Sequence, residues 1–469
     1  MTYPRSPVAR SYFIHTFGCQ MNESDSQRMG EALARAGWRP VGTPDGADLV
    51  LVNTCAIREK AEDKLYSALG RYRLLKAQRG TRIGVAGCVA QQEKKRLLSR
   101  APFVDFVLGP DHLEKVPELV DTGGVETDFV DTEHYLFPQA DPETSRGKTT
   151  AFVTAMKGCD NVCSFCVVPY TRGREVSRSY AEIVGEVASL VAVGVREITL
   201  IGQNVNSYAG GCTFAGLIRR VAAVPGLLRI RFTTSHPMDL SDDLVRCFAE
   251  VPQLMPHFHL PVQHGADSVL ERMRRRYTIA EYERRIAALP AHVALTSDII
   301  CGFPGETDEE HAQTLALLRR VPYDNLFSFV FSERPHTAAS LRLAKERETG
   351  QCSAEWTEVP WPVATKRLEG VQRLQQARTI ARHRARIGAE LEVLVESART
   401  PHGVAGERFG RSRENWTVHF VGTAALGDIV RMRVERASLV AVVGLETAVV
   451  EATTHRTQSS RTRLAVVSA

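Results

Sequence analysis

Residues 152–166 read FVTAMKGCDNVCSFC and decide the fold of the central part of the chain. The first five residues predict a β-strand, and Cys159, Cys163 and Cys166 follow it closely. Thiols at this spacing can surround one metal site in a loop, and thiolates suit zinc and iron–sulfur clusters. A structural zinc site takes four ligands, and no second Cys or His pair follows at the spacing that zinc fingers use. Three thiolates alone leave one iron of a four-iron cluster open to another ligand.

Strand patterns recur downstream of this loop and alternate with helical patterns. Including the first strand, six strands separated by five helices predict a (β/α)6 partial TIM barrel over residues 148–386. The further predicted strands are 197–201, 228–232, 257–260, 295–300 and 325–331.

The first third of the chain also alternates strand and helix patterns, which predicts a Rossmann-like α/β domain over residues 11–125. Cys19, Cys55 and Cys88 each stand just beyond a predicted strand. Because the carboxyl ends of parallel strands share one edge of a sheet, these three cysteines are expected to converge on a metal cluster. A polar stretch, residues 126–147, is interpreted as a linker. The predicted strands are 12–17, 48–53, 82–86 and 104–108, and the predicted helices are 23–36 and 56–77.

The C-terminal part changes to short β runs after a basic helix at 366–386. The runs 390–396, 416–421, 429–434 and 439–443 predict a small antiparallel β-barrel over residues 387–449, followed by a flexible tail at 450–469. Trp416 and Phe420 are candidates for base stacking or for the barrel core.

Charge separates the two ends of the chain, although the net charge of +5 is small for 469 residues. Residues 366–469 contain 17 Lys and Arg against 10 Asp and Glu, whereas residues 1–365 carry a net charge of −2. The basic end is therefore expected to face a polyanion. The candidate RNA-binding residues are Arg373, Arg378, Arg382, Arg386 and Arg411.

Composition excludes several classes of protein. With 43% hydrophobic and 24% charged residues, the chain is neither fibrous nor a disordered polymer. No signal peptide and no apolar run of membrane-spanning length occurs, so a cytoplasmic protein without a membrane partner is expected.

The cysteine loop, with Phe165 as its aromatic residue, resembles the radical S-adenosylmethionine superfamily. The flanking segments resemble one branch of it, the methylthiotransferases, over roughly residues 11–445. They match best the branch members that act on isopentenyladenosine in tRNA, and the β runs after residue 387 resemble their RNA-binding TRAM domain. The segments that carry the resemblance are 16–22, 53–61, 87–88, 166–175, 202–208, 234–237 and 300–306.

This resemblance implies an enzyme with two [4Fe-4S] clusters and S-adenosylmethionine. Cys159, Cys163 and Cys166 would hold the radical-generating cluster, and the three N-terminal cysteines an auxiliary cluster that provides or carries sulfur. The expected reaction abstracts hydrogen from adenine C2 of isopentenyladenosine, 3′ of the anticodon, and adds a methylthio group. The expected partners are tRNA carrying isopentenyladenosine, a flavodoxin- or ferredoxin-type electron donor, and sulfur or cluster supply proteins, with the enzyme acting as a monomer.

Sulfur insertion at an aromatic C–H offers no leaving group, so the chemistry must come from cofactors. Accordingly, no catalytic side-chain acid or base is expected. The candidate cofactor-binding residues are Phe165, Gly202, Gln203, Asn204, Ser235 and Gln263. For Phe165, simple packing within the loop is the alternative.

Three segments depart from the family pattern: 264–266, 332–337 and a longer connection at about 343–362. Three alternatives stay open. Two are sister methylthiotransferases, acting on threonylcarbamoyladenosine in tRNA or on an aspartate of a ribosomal protein. The third is a non-catalytic, zinc-stabilised RNA-binding protein.

Overall fold

The N-terminal domain is a six-stranded, wholly parallel sheet in the order β2-β1-β3-β4-β5-β6. The structure is a computed structural model that describes residues 10–56, 59–350, 353–398 and 405–452. The central strand Leu49–Thr54 is buried along its whole length because helices cover both faces of the sheet. The strands are β1 Ser11–Phe17, β2 Arg39–Pro40, β3 Leu49–Thr54, β4 Arg82–Gly87, β5 Phe106–Leu108 and β6 Gly124–Glu126; the helices are α1 Gln20–Arg35, α2 Glu59–Arg79, α3 Cys88–Glu93, α4 Lys95–Arg100 and α5 Val116–Thr122.

The central domain contains the six predicted parallel strands, which form a partial barrel. They lie in two three-stranded sheets, β7-β10-β11 and β12-β13-β14, and Ile230 of β11 forms an isolated bridge with Leu254, three residues before β12. A short hairpin, β8 Met156–Lys157 with β9 Val176–Ser177, flanks the cysteine loop. The barrel strands are β7 Thr150–Thr154, β10 Glu197–Ile201, β11 Arg229–Phe232, β12 His257–His259, β13 Ala294–Cys301 and β14 Asn325–Val330.

Helices cover the outside of the partial barrel. Capping boxes at Thr278 and Thr307 define the starts of α11 and α12, since each threonine side chain accepts from the backbone three residues on and the glutamate there reaches back. The helices are α6 Val168–Arg172, α7 Tyr180–Ala192, α8 Phe214–Ala222, α9 Asp242–Glu250, α10 Asp267–Arg272, α11 Ile279–Ala287, α12 Asp308–Arg320, α13 Ala338–Thr349 and α14 Trp361–Arg384. None of the helices in the described ranges combines the length and apolarity that a bilayer crossing requires.

The C-terminal domain is a closed five-stranded barrel in the order β15-β16-β17-β19-β18. The prediction of an antiparallel barrel needs one correction, because β17 and β19 pair in parallel. Trp416 and Phe420 belong to its core. The strands are β15 Glu390–Ser397, β16 Glu407–Ser412, β17 Thr417–Val421, β18 Ile429–Ala437 and β19 Val442–Glu451.

Two strands of this barrel differ from the sequence prediction. The strand β16 was not predicted because it lacks apolar alternation: its buried residues are Glu407, Gly410 and Ser412. Only glycine fits at 410, since a Cβ there would lie 2.0 Å from the Leu394 carbonyl oxygen. The strand β19 also extends two residues into the predicted tail, because its second half pairs with β18; the rest of that tail, from residue 453, lies outside the described residues.

Two buried arginines attach this small barrel to the end of the partial barrel where β10 and β11 begin. Arg229 donates to the carbonyl oxygen of Arg411 at 3.0 Å, and Arg231 donates to the carbonyl oxygens of Ser412 and Arg413 at 2.7 and 3.0 Å. Glu197 neutralises Arg231 at 2.9 Å. The C-terminal domain therefore closes the end of the partial barrel opposite to the cysteine loop.

Candidate functional site

The three N-terminal cysteines lie at the carboxyl ends of neighbouring strands, as predicted. Cys19 follows β1, Cys55 follows β3, and Cys88 is the first residue of α3 directly after β4. Gly18 allows the close approach, since a Cβ there would lie 2.5 Å from the Cys55 Cβ and its φ of +138° disfavours other residues. A hydrogen bond with Cys55, aided by the charge of Arg172, lowers the pKa of the Cys19 thiol to about 6.

Two asparagines hold the cysteine-bearing loops of this N-terminal site in place. Asn53 donates to the Asn22 carbonyl oxygen at 2.8 Å and to Ser26 at 2.9 Å, and Asn22 returns a hydrogen bond to the Asn53 side chain at 3.0 Å. Cys19 donates to the Asn22 side-chain oxygen at 3.2 Å. The first turns of α1, directly after Cys19, are thereby fixed to the end of β3, directly before Cys55.

Arg172 joins the N-terminal site to the central domain. Its Nε donates to Cys88 Sγ at 3.2 Å, and its guanidinium pairs with Asp25 at 2.7 Å. Arg172 ends α6, the helix that follows Cys166, so one short segment connects the two cysteine triads. Sequence reasoning did not assign Arg172 a role, although it lies inside the segment 166–175 that carried the family resemblance.

The three central cysteines lie in one loop between β8 and α6. Ser164 anchors it, because its amide donates to the Met273 carbonyl oxygen at 3.0 Å and its hydroxyl to that of Arg272 at 2.7 Å. The buried Arg275 donates to Cys163 Sγ at 3.4 Å. Burial, together with the neighbouring Cys163, raises the pKa of the Cys166 thiol to about 12. Arg275, inside a run of three arginines, was not predicted as a site residue.

Both triads face the same end of the partial barrel. Gln20, next to Cys19, accepts a hydrogen bond from Thr233 at 2.9 Å just after β11. Ser24 of α1 lies 3.3 Å from the hydroxyl of Thr154 at the end of β7. Since these barrel residues stand at the carboxyl ends of their strands, where barrel enzymes place their sites, the N-terminal cysteines lie over the barrel mouth.

The cysteines suit iron–sulfur clusters. No group of three His, Cys, Asp or Glu side chains within the described ranges is placed to hold a single metal ion. A four-iron cluster instead takes one thiolate per iron, so its ligands need not meet at one point. Arg172 and Arg275 each donate to one of the cysteine sulfurs, and such contacts stabilise negative charge on the ligands of a cluster.

Gln203 and Asn204 follow β10, and Ser235 follows β11, at the end of the barrel that carries the cysteine loop. Gln203 accepts a hydrogen bond from the Gly158 amide at 2.5 Å and thus supports the chain just before Cys159. Asn204 donates to Asp239 at 2.8 Å. Its side-chain oxygen and the Ser235 hydroxyl are buried and find no hydrogen-bond partner among the described residues, which suits a polar ligand.

The remaining cofactor candidates have mainly structural contacts. Gly202 packs against Met156, whose Cγ would lie 2.5 Å from an added Cβ. Phe165 packs on a small apolar cluster that includes Phe303 and Met273. Gln263, at a φ of +73°, exchanges backbone hydrogen bonds with β13.

Two of the three segments that depart from the family pattern, 264–266 and 343–362, pack at the end of the barrel that carries the cysteine loop. His264 is fully buried and lies 3.2 Å from Glu306, which Arg367 also contacts at 3.2 Å. In the longer connection, Trp356 packs on Phe303 with ring centroids 5.8 Å apart. The added residues therefore cover the loop that follows β13.

The predicted RNA-binding arginines divide into two groups. Arg378 donates to carbonyl oxygens at the end of α12, and Arg382 pairs with Asp324 at 2.9 Å, so both have structural roles. Arg373 is exposed, and Arg386 is exposed over the Trp416 ring at 5.4 Å. Arg411 donates to the Asn415 carbonyl oxygen at 3.3 Å.

Further exposed arginines of the C-terminal barrel, among them Arg431 and Arg433, are not among the predicted residues. Arg431 and Arg433 alternate with buried residues along β18, so both point outward. The pattern Val-Arg-Met-Arg-Val at residues 430–434 is the signal that would have identified them.

Comparison with known proteins agrees with this architecture. Residues 11–109 match the family described as "Uncharacterized protein family UPF0004", and residues 153–318 match the radical SAM superfamily. A solved structure of the radical S-adenosylmethionine methyltransferase TsrM from Kitasatospora setae shares the fold with a TM-score of 0.54 at 16% identity, covering 72% of this chain and 76% of that one.

Close sequence relatives decide the family. A tRNA-2-methylthio-N(6)-dimethylallyladenosine synthase from Anaeromyxobacter sp. (strain Fw109-5) is 58% identical, over 92% of this chain and 94% of its own. One from Myxococcus xanthus (strain DK1622) is 53% identical, over 94% and 95%. The chain belongs to the family of the tRNA-2-methylthio-N(6)-dimethylallyladenosine synthases.

Proposed function

We propose that this chain converts N(6)-isopentenyladenosine of tRNA, immediately 3′ of the anticodon, to its 2-methylthio derivative. The observation that carries the proposal is the convergence of two cysteine triads at one barrel mouth, joined by Arg172 and by the contact between Gln20 and Thr233. Family membership over nine-tenths of the chain supports it. Two [4Fe-4S] clusters and S-adenosylmethionine, when bound, supply the radical, sulfur and methyl chemistry that side chains lack.

The side chains of this protein then bind and orient the cofactors and the substrate, and they exclude water from the site. Cys159, Cys163 and Cys166 hold the radical-generating cluster, and the N-terminal triad holds the auxiliary cluster. Asn204 and Ser235 offer their unpaired buried oxygens to S-adenosylmethionine. The other proposed cofactor-binding residues, Phe165, Gly202, Gln203 and Gln263, shape the surrounding wall.

The tRNA is held by the outward arginines of the C-terminal part. Arg373 and Arg386 on and after α14, together with Arg431 and Arg433 on β18, offer exposed guanidinium groups to phosphates. Arg378, Arg382 and Arg411 contribute less to tRNA binding, because their guanidinium groups already make contacts within the protein.

We also propose that the enzyme is cytoplasmic and monomeric and that it acts with protein partners. Reductive cleavage of S-adenosylmethionine requires an electron donor of the flavodoxin or ferredoxin type. A sulfur or cluster supply protein would replace the sulfur that leaves in the product, whether the auxiliary cluster would provide that sulfur or carry it.

Nucleoside analysis of tRNA from a deletion strain tests the proposed function. We expect isopentenyladenosine to accumulate and its methylthio form to disappear, and the wild-type chain, but not its Cys159→Ala variant, to restore it. Unchanged methylthiolation of isopentenyladenosine would contradict the proposal. Loss of the methylthio group from threonylcarbamoyladenosine or from ribosomal aspartate would instead identify a sister enzyme.

A further inference from the structure

The last barrel strand, β14, presents two phenylalanines to the barrel interior. Leu326 packs against the core between strands and helices, so its neighbour Phe327, and Phe329 two residues on, point the opposite way. Phe327 is 47% exposed and Phe329 38% exposed. Both are unusually open for phenylalanines in a strand that the core covers on its other face.

The neighbours of these rings confirm that they face inward. Phe327 is in register with Asp298, and its ring meets that of His259 edge-on, with centroids 5.7 Å apart. His259 in turn lies 3.5 Å from Asp298. These contacts run across the inner face of β12, β13 and β14.

The two rings also lead towards the cysteine loop. Phe329 is in register with Ile300, and Ile300 packs on the same apolar cluster as Phe165. Phe165 directly precedes Cys166. Phe329, Ile300 and Phe165 therefore lead from β14, at the open edge of the barrel, towards the loop of the central triad, whereas Phe327 lies beside the polar Asp298 and His259.

The end of the interior away from the cysteine loop is polar and charged. Arg229, Arg231 and Glu197 occupy the end that the C-terminal domain closes. Between that end and the cysteine loop, the exposed rings of Phe327 and Phe329 can cover an apolar ligand group, which gains free energy by leaving water. The substrate of the proposed function carries one such group, the five-carbon dimethylallyl chain on adenine N6.

We propose that Phe327 and Phe329 form the wall that receives the dimethylallyl group, and that they thereby select isopentenylated over unmodified adenosine. This inference rests on the proposed function. Contacts with one or two apolar carbons change selectivity by about 10- to 200-fold, so two rings can account for a strong preference.

The test compares two anticodon stem-loop RNAs of one sequence, with isopentenyladenosine or with unmodified adenosine. We expect the wild-type protein to bind the modified RNA at least about tenfold more tightly. The Phe327→Ala/Phe329→Ala variant should bind both RNAs with the affinity of the unmodified one. The Phe→Leu double variant, which keeps apolar surface, should retain most of the preference.

A matched control is Leu74→Ala, which removes a 62%-exposed apolar side chain on α2, away from the barrel. It should leave the preference unchanged. If the alanine double variant keeps the wild-type preference, the inference is overturned while the proposed function stands. If the wild-type protein neither prefers nor methylthiolates the modified RNA, the proposed function itself fails. Circular dichroism of each variant checks its fold. If the double alanine variant is unfolded, the single variants Phe327→Ala and Phe329→Ala replace it: we expect each to weaken the preference, and an unchanged preference in both overturns the inference.

Discussion

The two cysteine triads achieve convergence in opposite ways. The N-terminal triad collects one cysteine from each of three neighbouring strand ends, so the sheet must fold before its ligands meet. The central triad lies within eight consecutive residues, 159–166, and the loop needs only anchoring from outside. A dispersed site is positioned by the fold, whereas a contiguous one is positioned by a few hydrogen bonds.

The charges beside the two triads differ as well. Arg172, next to Cys88, is paired with the buried carboxylate of Asp25. Arg275, next to Cys163, contacts the Tyr277 hydroxyl at 3.0 Å and the Pro261 carbonyl oxygen at 2.8 Å, both uncharged partners. The N-terminal site therefore carries a compensated charge, and the central site retains the full positive charge of its arginine.

The largest expected difference between the sites is functional. Cys159→Ala and Cys55→Ala should each lower the iron content from about eight to about four atoms per chain, since each removes one four-iron cluster. Only Cys159→Ala should abolish reductive cleavage of S-adenosylmethionine to 5′-deoxyadenosine. Cys247→Ala, which changes a buried cysteine outside both triads, is the control and should keep both clusters. Cleavage by the Cys159→Ala protein would show that the two roles are assigned to the wrong triads.

The arginines give the next largest contrast, in stability. Arg172→Met leaves Asp25 as a buried charge without its partner, and should cost about 3–5 kcal/mol of unfolding free energy. Arg275→Met removes hydrogen bonds without isolating a carboxylate, and should cost about 1–3 kcal/mol. Urea unfolding followed by tryptophan fluorescence measures both.

A double variant serves as the control for the loss of stability in Arg172→Met. Adding Asp25→Asn to Arg172→Met removes the isolated charge and should recover part of the lost stability. Equal losses for both arginine variants, with no recovery in the double variant, would remove the proposed difference in charge compensation.

The smallest contrast concerns the anchoring of the two sites. Asn53→Ala removes three hydrogen bonds in the N-terminal site and leaves the Asn22 amide unpaired, so a loss of about 2–3 kcal/mol is expected. Ser164→Ala removes only the bond to the Arg272 carbonyl oxygen and keeps the backbone anchors, so about 1 kcal/mol is expected. Denaturant titration of the two variants measures the difference, and a larger loss for Ser164→Ala would contradict this account.

The sequence predicted those features that depend on the local pattern of residues, such as strands and the residues that follow them. The strand at 197–201 matches β10 residue for residue, and the positions of Cys19, Cys55 and Cys88 after predicted strands anticipated their convergence. The contact between Arg172 and Cys88 joins residues 84 positions apart. No periodicity encodes such a pair, because it depends on how two domains dock.

Two other features could not be predicted because they depend on how strands pair: the direction in which Phe327 and Phe329 point, and the parallel pairing in the C-terminal barrel. The alternation around Phe327 and Phe329 is visible in the sequence, but pairing with β13 decides which face is the interior. The parallel pairing of β17 with β19 is invisible to local alternation, since parallel and antiparallel strands share the same period of two.

The attachment of the C-terminal barrel has an evolutionary consequence. Arg229 and Arg231 bind main-chain carbonyl oxygens of residues 411–413, which every amino acid provides. Substitutions in this segment preserve those acceptors as long as the backbone keeps its path. The segment 411–413 can therefore change its side chains while its attachment to the partial barrel stays the same. The second contact of Arg229, with the Glu392 carboxylate at 3.0 Å, does depend on the side chain.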